Sequence, residues 1–240
     1  MLELIKKNSC DLWSLFKGPK VGSDAIPKIF QVRYTILPVA LVVLFLYTFV
    51  DTPVEKFLLE SGDYPHVFVD IFDKVTEAGN SVYIIVACAL WTLARLCTDT
   101  DKLTESVINV YNKITMYCVY MLGTVIIGGL VGQVFKMVIG RGRPKFFEEF
   151  GSHYFQHFHA PGYDFTSMPS GHSITIASIG IALMILLPRF KYLWLFMAVI
   201  VAFSRVAVSA HYPSDVVFGF YVGTYSSLFI YYWMKNRNII

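Results

Sequence analysis

Charge is scarce in this chain. Its 240 residues include 20 Lys or Arg and 17 Asp or Glu, 15% in all, where a soluble domain carries roughly a quarter. The four cysteines, Cys10, Cys88, Cys97 and Cys118, lack the paired spacing of a metal knuckle and suggest no disulfide framework. They read as small apolar filler. No internal repeat, low-complexity tract or carboxylate-rich magnesium cluster is present. The net charge of +3 gives no reason to expect a nucleic-acid partner. No cleavable leader is expected either, because the first apolar run begins near Tyr34, too late and too long for one.

Apolar residues fill the space. They make up 55% of the chain, and mean hydropathy is +0.55. Several runs approach the roughly 20 residues that cross a bilayer as helix. We expect an all-α polytopic membrane protein with six transmembrane helices, at 34–50, 81–97, 114–138, 172–187, 192–208 and 216–233. Amphipathic interfacial helices should accompany them. One is signalled by Leu2, Ile5, Leu12, Trp13 and Phe16, another by Val67, Phe68, Ile71, Phe72 and Val75. Residues 1–33 then form a cytoplasmic amphipathic segment and residues 34–240 one six-span domain.

Orientation follows from the basic residues. With the amino terminus inside, thirteen Lys and Arg fall on the inner side and seven on the outer. Four of those seven, Lys136, Arg141, Arg143 and Arg205, lie in or between the polar clusters described next.

Those clusters interrupt the apolar background at three places: Lys136-x6-Arg143-Pro144, Pro169-Ser170-Gly171-His172, and Ser204-Arg205-x5-His211-x3-Asp215. They span 80 positions, yet the topology puts each at the outer end of a span. Each has a bland reading alone: snorkelling cations, a capped helix, a structural His–Asp pair. Ionisable groups are costly in a membrane, and several on one face point to function. Lys136 and Arg143 can converge on an anion, Arg143 being set extended by Pro144. Ser170 should cap a helix whose free amides, with Gly171, favour an anion near His172. Pro213 suits a first helical position, which places Asp215 in the first turn, within reach of the His211 ring. We expect the His172 and His211 rings to face one pocket, with Arg143 and Arg205 between them.

The pattern resembles the phosphatidic acid phosphatase type 2 family over about residues 80–235, matching every motif element in order and spacing. The resemblance implies a phosphatase that works through a phosphohistidine. It implies His211 as nucleophile, Asp215 as its orienting partner and His172 as general acid and then base. Lys136, Arg143, Ser170, Gly171 and Arg205 would hold the phosphate. No metal and no cofactor are expected.

Arg141 stays open between a second phosphate or sugar headgroup and a plain surface charge. His153, His157 and His159 tempt a zinc reading, but a polar lid over the headgroup fits better. The expected partner is a lipid substrate within the bilayer, and the expected location a bacterial inner membrane with the site facing the periplasm. Within the family, the Gly-Arg-x-Arg-Pro-x-Phe-Phe run resembles a bacterial subgroup. Its substrates point to lipid A 1-phosphate, with phosphatidylglycerophosphate, undecaprenyl pyrophosphate or lipid-to-lipid phosphotransfer as alternatives.

Overall fold

The computed structural model describes residues 1–16, 26–60, 66–77, 79–158 and 164–240. Most of the Gly-Pro stretch after the first helix, and His159, lie outside these residues. The described residues contain no strand, and a single bridge pairs Arg141 with Phe155. The chain is an all-α polytopic membrane protein.

The first helix, α1 (Leu2–Phe16), is amphipathic as expected. Part of it is anchored on protein: Leu12 joins a buried cluster with Cys88, Met116 and Met234. The Asn8 amide donates to the carbonyls of Leu96 and Thr98. That contact places α1 at the end of α5 (Ser81–Cys97).

The first apolar run continues further than expected. Helix α2 (Val32–Phe45) passes through a π-helical turn, Leu46–Val50, into α3 (Asp51–Glu60). Pro53 explains the widened turn, because it has no N–H to give the carbonyl one turn back. Asp51 and Glu55, expected in an outer loop, are therefore helical and buried. Helix α4 (His66–Glu77) follows and packs on α9 (Lys191–Ala207).

Helix α6 (Glu105–Ile139) runs for 35 residues, beginning well before the expected start at 114. After the short α7 (Phe147–Phe150) comes α8 (Gly171–Leu186), the most enclosed helix of the bundle. It packs on α6, α9 and α10 (Pro213–Lys235). The approach to α10 is backbone to backbone. A Cβ at Gly223 would lie 2.2 Å from the Ile174 carbonyl oxygen, and one at Gly219 2.6 Å from that of Ser170. Small residues at helical spacing allow such contact where lipid offers no competing hydrophobic drive.

Among the described residues, four helical stretches are long and apolar enough to cross a membrane: Val32–Glu60, Val69–Cys97, Glu105–Ile139 and Pro188–Ala207. The remaining two expected spans, at 172–187 and 216–233, fall on α8 and α10. Helix α8 has only 16 residues. Helix α10 is longer, but its inward face carries buried Ser214, Asp215, Ser226 and Ser227. Both helices pack on protein along much of their length; α8 stays largely apolar, while α10 turns its polar groups inward.

Candidate active site

The first cluster is shaped by the end of α6. Gly140 closes the helix with φ +61°, and its N–H donates to the Lys136 carbonyl at 2.9 Å. A Cβ at Gly140 would lie 1.7 Å from the Gln156 carbonyl oxygen, so no other residue fits there. The chain then runs beside residues 154–156, with Gly142 N–H donating to the Tyr154 carbonyl at 3.1 Å. Arg143 is extended (φ −81°, ψ 158°), as Pro144 requires. Its Nη1 lies 3.4 Å from His211 Nε2 and 3.4 Å from the Ala210 carbonyl.

The second cluster opens α8. Ser170 is the N-cap, its Oγ accepting from Ser173 N–H at 3.4 Å, while its own N–H donates to the Asp215 carbonyl. Lys136 Nζ is the nearest atom to the open side of Gly171, 3.5 Å from where a Cβ would stand. An ammonium held against the positive end of a helix is repelled unless an anion lies between them. A cavity of about 280 Å³ opens at this point, lined by Lys136, Gly171 and His172 together with Asn80, Gln133 and Thr175. Gly79 leaves room for the His172 ring, whose Cδ2 is 3.1 Å from a Cβ built there.

The third cluster links α9 to α10. Arg205 Nη1 donates to Thr76 Oγ1 of α4 at 2.7 Å, and its carbonyl accepts from His211 N–H at 3.1 Å. Pro213 occupies the first turn of α10, and Asp215 accepts from Tyr212 N–H at 3.1 Å. His211 Nδ1 lies 3.7 Å from Asp215 Oδ2, too long for a direct hydrogen bond. Ser167 Oγ stands closer, 3.4 Å from Nδ1, and donates to Asp215 Oδ2 at 2.6 Å. These partners assign the ring proton to Nδ1 and leave the Nε2 lone pair towards Arg143.

Electrostatics tie the clusters together. Lys136, Arg143 and Arg205 all act on His172, and Arg143 and Arg205 act on His211. Burial drives the His211 imidazole down to about 4, against the pull of Asp215 and with the push of Arg143 and Arg205. His211 is therefore neutral at ordinary pH.

His211 is 2% exposed, and the Arg143 guanidinium lies against its Nε2. One expectation needs correction. Arg141 is neither a surface charge nor placed for a headgroup. It is 0% exposed, and all five of its N–H groups find acceptors, on Asp51, Asp215, Ser214 and the Ser152 carbonyl. Its planar fork matches two carboxylates on opposite sides, which a snorkelling cation would not do.

Sequence reasoning did not single out Ser167, Thr76 or Asp51. Ser167 carried a faint signal, its place three residues before Ser170. Asp51 carried another, an acidic residue closing an apolar run. The loop histidines are bonded to backbone, His153 Nε2 to the Tyr47 carbonyl and His157 Nδ1 to that of Val138. No cluster of three or more His, Cys, Asp and Glu suited to a metal occurs among the described residues.

Known proteins share this architecture. A lipid A 1-phosphatase of Rhizobium etli is 40% identical over 111 residues, 45% of this chain and 47% of that one. Another from Rhizobium johnstonii is 38% identical over 109 residues, 45% of this chain and 44% of that one. The matched region thus spans about half the length of these curated relatives. The crystal structure of a transmembrane PAP2 type phosphatidylglycerolphosphate phosphatase from Bacillus subtilis superposes with a TM-score of 0.56 at 20% identity. That superposition covers 84% of this chain and 96% of the other, and shows a shared fold. The model of the PAP2 superfamily matches residues 117–239, which hold all three clusters. The chain belongs to the PAP2 superfamily.

Proposed function

We propose that this protein is a membrane lipid phosphatase that removes a phosphate headgroup through a phosphohistidine on His211. The observation that carries the reading is the arrangement of that ring. Its Nδ1 is turned to Ser167 and Asp215, and its Nε2 lies beside a guanidinium 3.4 Å away. A phosphate taking the two-pronged donor of Arg143 is drawn to that nitrogen.

The chemistry balances with these residues. The Nε2 lone pair attacks phosphorus as the bond to the leaving oxygen breaks. His172 gives that oxygen a proton. Asp215 stabilises the charge left on the His211 ring. Water then attacks phosphorus, its proton passes to His172, and the P–N bond breaks to release inorganic phosphate. Lys136, Arg143, Arg205, the Ser170 side chain and the Gly171 amide hold the equatorial oxygens. A phosphate dianion beside His172 favours the protonated ring that the first step needs. Three cations provide the charge stabilisation that a metal supplies elsewhere, and the reaction is proposed to need none.

The substrate we propose is lipid A 1-phosphate. Support comes from the 40% identity with a lipid A 1-phosphatase over 111 residues. The inner membrane, with the site facing the periplasm, is the matching location, and the excess of inner basic residues agrees with it. Purified protein assayed against lipid A, phosphatidylglycerophosphate and undecaprenyl pyrophosphate tests this. Fastest phosphate release from lipid A is expected. Faster release from another lipid moves the assignment, transfer to an acceptor lipid makes the protein a phosphotransferase, and release from none removes the proposal.

A further inference from the structure

Arg141 sits between two carboxylates, both 0% exposed. Its Nη1 donates to Asp215 Oδ1 at 2.7 Å and its Nη2 to Asp51 Oδ2 at 2.8 Å. The Tyr212 ring lies 4.1 Å from the guanidinium carbon and the Tyr47 ring 5.3 Å. Ser214 closes the circuit. Its Oγ accepts from Arg141 at 2.7 Å and donates to Asp51, and its N–H donates to Asp51 Oδ1 at 3.0 Å. A buried ion triad of this kind is weak evidence for stability alone, since desolvation offsets most of the attraction. Its geometry matters more here. Asp215 has one oxygen fixed by Arg141, so the other is held on the side of Ser167 and His211.

We infer that Arg141, anchored by Asp51, is a positioning residue that keeps the Asp215 carboxylate ionised and turned towards His211. The inference rests on His211 being the nucleophile of the proposed reaction. Asp51 lies in α3, outside residues 117–239 that the family model matches. On this account the amino-terminal helices help to set the catalytic geometry while supplying no reacting group.

The charges bearing on Asp215 make the consequence signed. Arg141 faces it from the turn after α6, Lys136 from α6, His211 from the preceding turn, and Asp51 stands beyond Arg141 on α3. Removing Arg141 leaves two buried carboxylates without the cation they share, which disfavours the charged form of Asp215. Replacing Asp51 as well removes the competing carboxylate and makes the charged form of Asp215 less costly.

The experiment is a double-mutant cycle read by phosphate release from lipid A and from phosphatidylglycerophosphate in detergent micelles. Arg141→Met should lower kcat about 100-fold, the scale of a small misplacement in an active site, with KM little changed. The acid limb of its kcat profile should move to higher pH. Adding Asp51→Asn should recover about tenfold of that loss and return the limb towards its original place. Arg141→Lys, which keeps charge and loses the fork, should fall between Arg141→Met and wild type.

A double variant no better than Arg141→Met, with unmoved pH profiles, overturns the inference and leaves Arg141 a structural staple. If Arg141→Met does not fold, Arg141→Lys and Asp51→Asn are read instead. A wild-type kcat and pH profile in both overturns the inference equally. His211→Ala separates the two levels. Activity in that variant undoes the proposed reaction itself, whereas its loss beside an unimpaired Arg141→Met undoes only the positioning role.

Discussion

Ser167 Oγ donates to Asp215 Oδ2 over 2.6 Å while standing 3.4 Å from His211 Nδ1, closer to that ring than the carboxylate is. The hydroxyl therefore bridges a gap that the His–Asp pair leaves open. Loss of a hydrogen bond to a charged group costs about 1.5–3 kcal/mol, which is about tenfold or more in rate. Ser167→Ala should lower kcat by about that factor at unchanged KM, and Ser167→Thr should keep most of the activity. Steady-state kinetics on both decide it. An alanine variant at wild-type kcat removes Ser167 from the account.

Thr76 offers a parallel case on the binding side. Its Oγ1 accepts from Arg205 Nη1 at 2.7 Å across the α4–α9 contact. Thr76→Val keeps the shape and removes the acceptor. The loosened guanidinium should hold phosphate less well, raising KM several-fold, while kcat falls less. A substrate titration with unchanged KM speaks against this role.

Neutral His211 makes a signed pH prediction. Its imidazole lies at about 4 in the fold, against 6.5 unperturbed. Between those values the unfolded chain binds a proton that the folded chain refuses, so acidification favours unfolding there. Stability should decline as pH falls from 6.5 to about 4, and His211→Gln should flatten that slope. Thermal unfolding of both proteins across this window measures it. Parallel slopes contradict a buried neutral ring.

Gly140 is the hinge of the first cluster. With φ +61° and the Gln156 carbonyl 1.7 Å from a built Cβ, Gly140→Ala carries a left-handed penalty of about 1–2 kcal/mol plus a clash. The turn that aims Arg143 should shift. Lower thermal stability together with a raised KM is expected; an alanine variant matching wild type in both would mean that the turn adapts freely.

Much of this was legible before the structure. The apolar runs gave the long helices, because a bilayer imposes length and an apolar surface on each. Ser170 and Pro213 marked helix starts through local backbone chemistry that needs no tertiary knowledge. How little of α8 and α10 meets lipid was less legible. Helices α8 and α10 face protein, and buried serines and glycines serve there as well as lipid-facing leucines do elsewhere. The Arg141 circuit was hidden for another reason. Its partners Asp51 and Asp215 lie 90 and 74 positions away, and no local pattern encodes such a meeting. Arg141 stayed open between a headgroup ligand and a surface charge because sequence shows charge and not burial.

The most direct measurement is rapid quenching of purified protein with lipid carrying labelled phosphate, followed by peptide mapping. An acid-labile phosphate is expected on the peptide that contains His211, absent in His211→Ala together with turnover. Label on His172, or sustained turnover by His211→Ala, would contradict it.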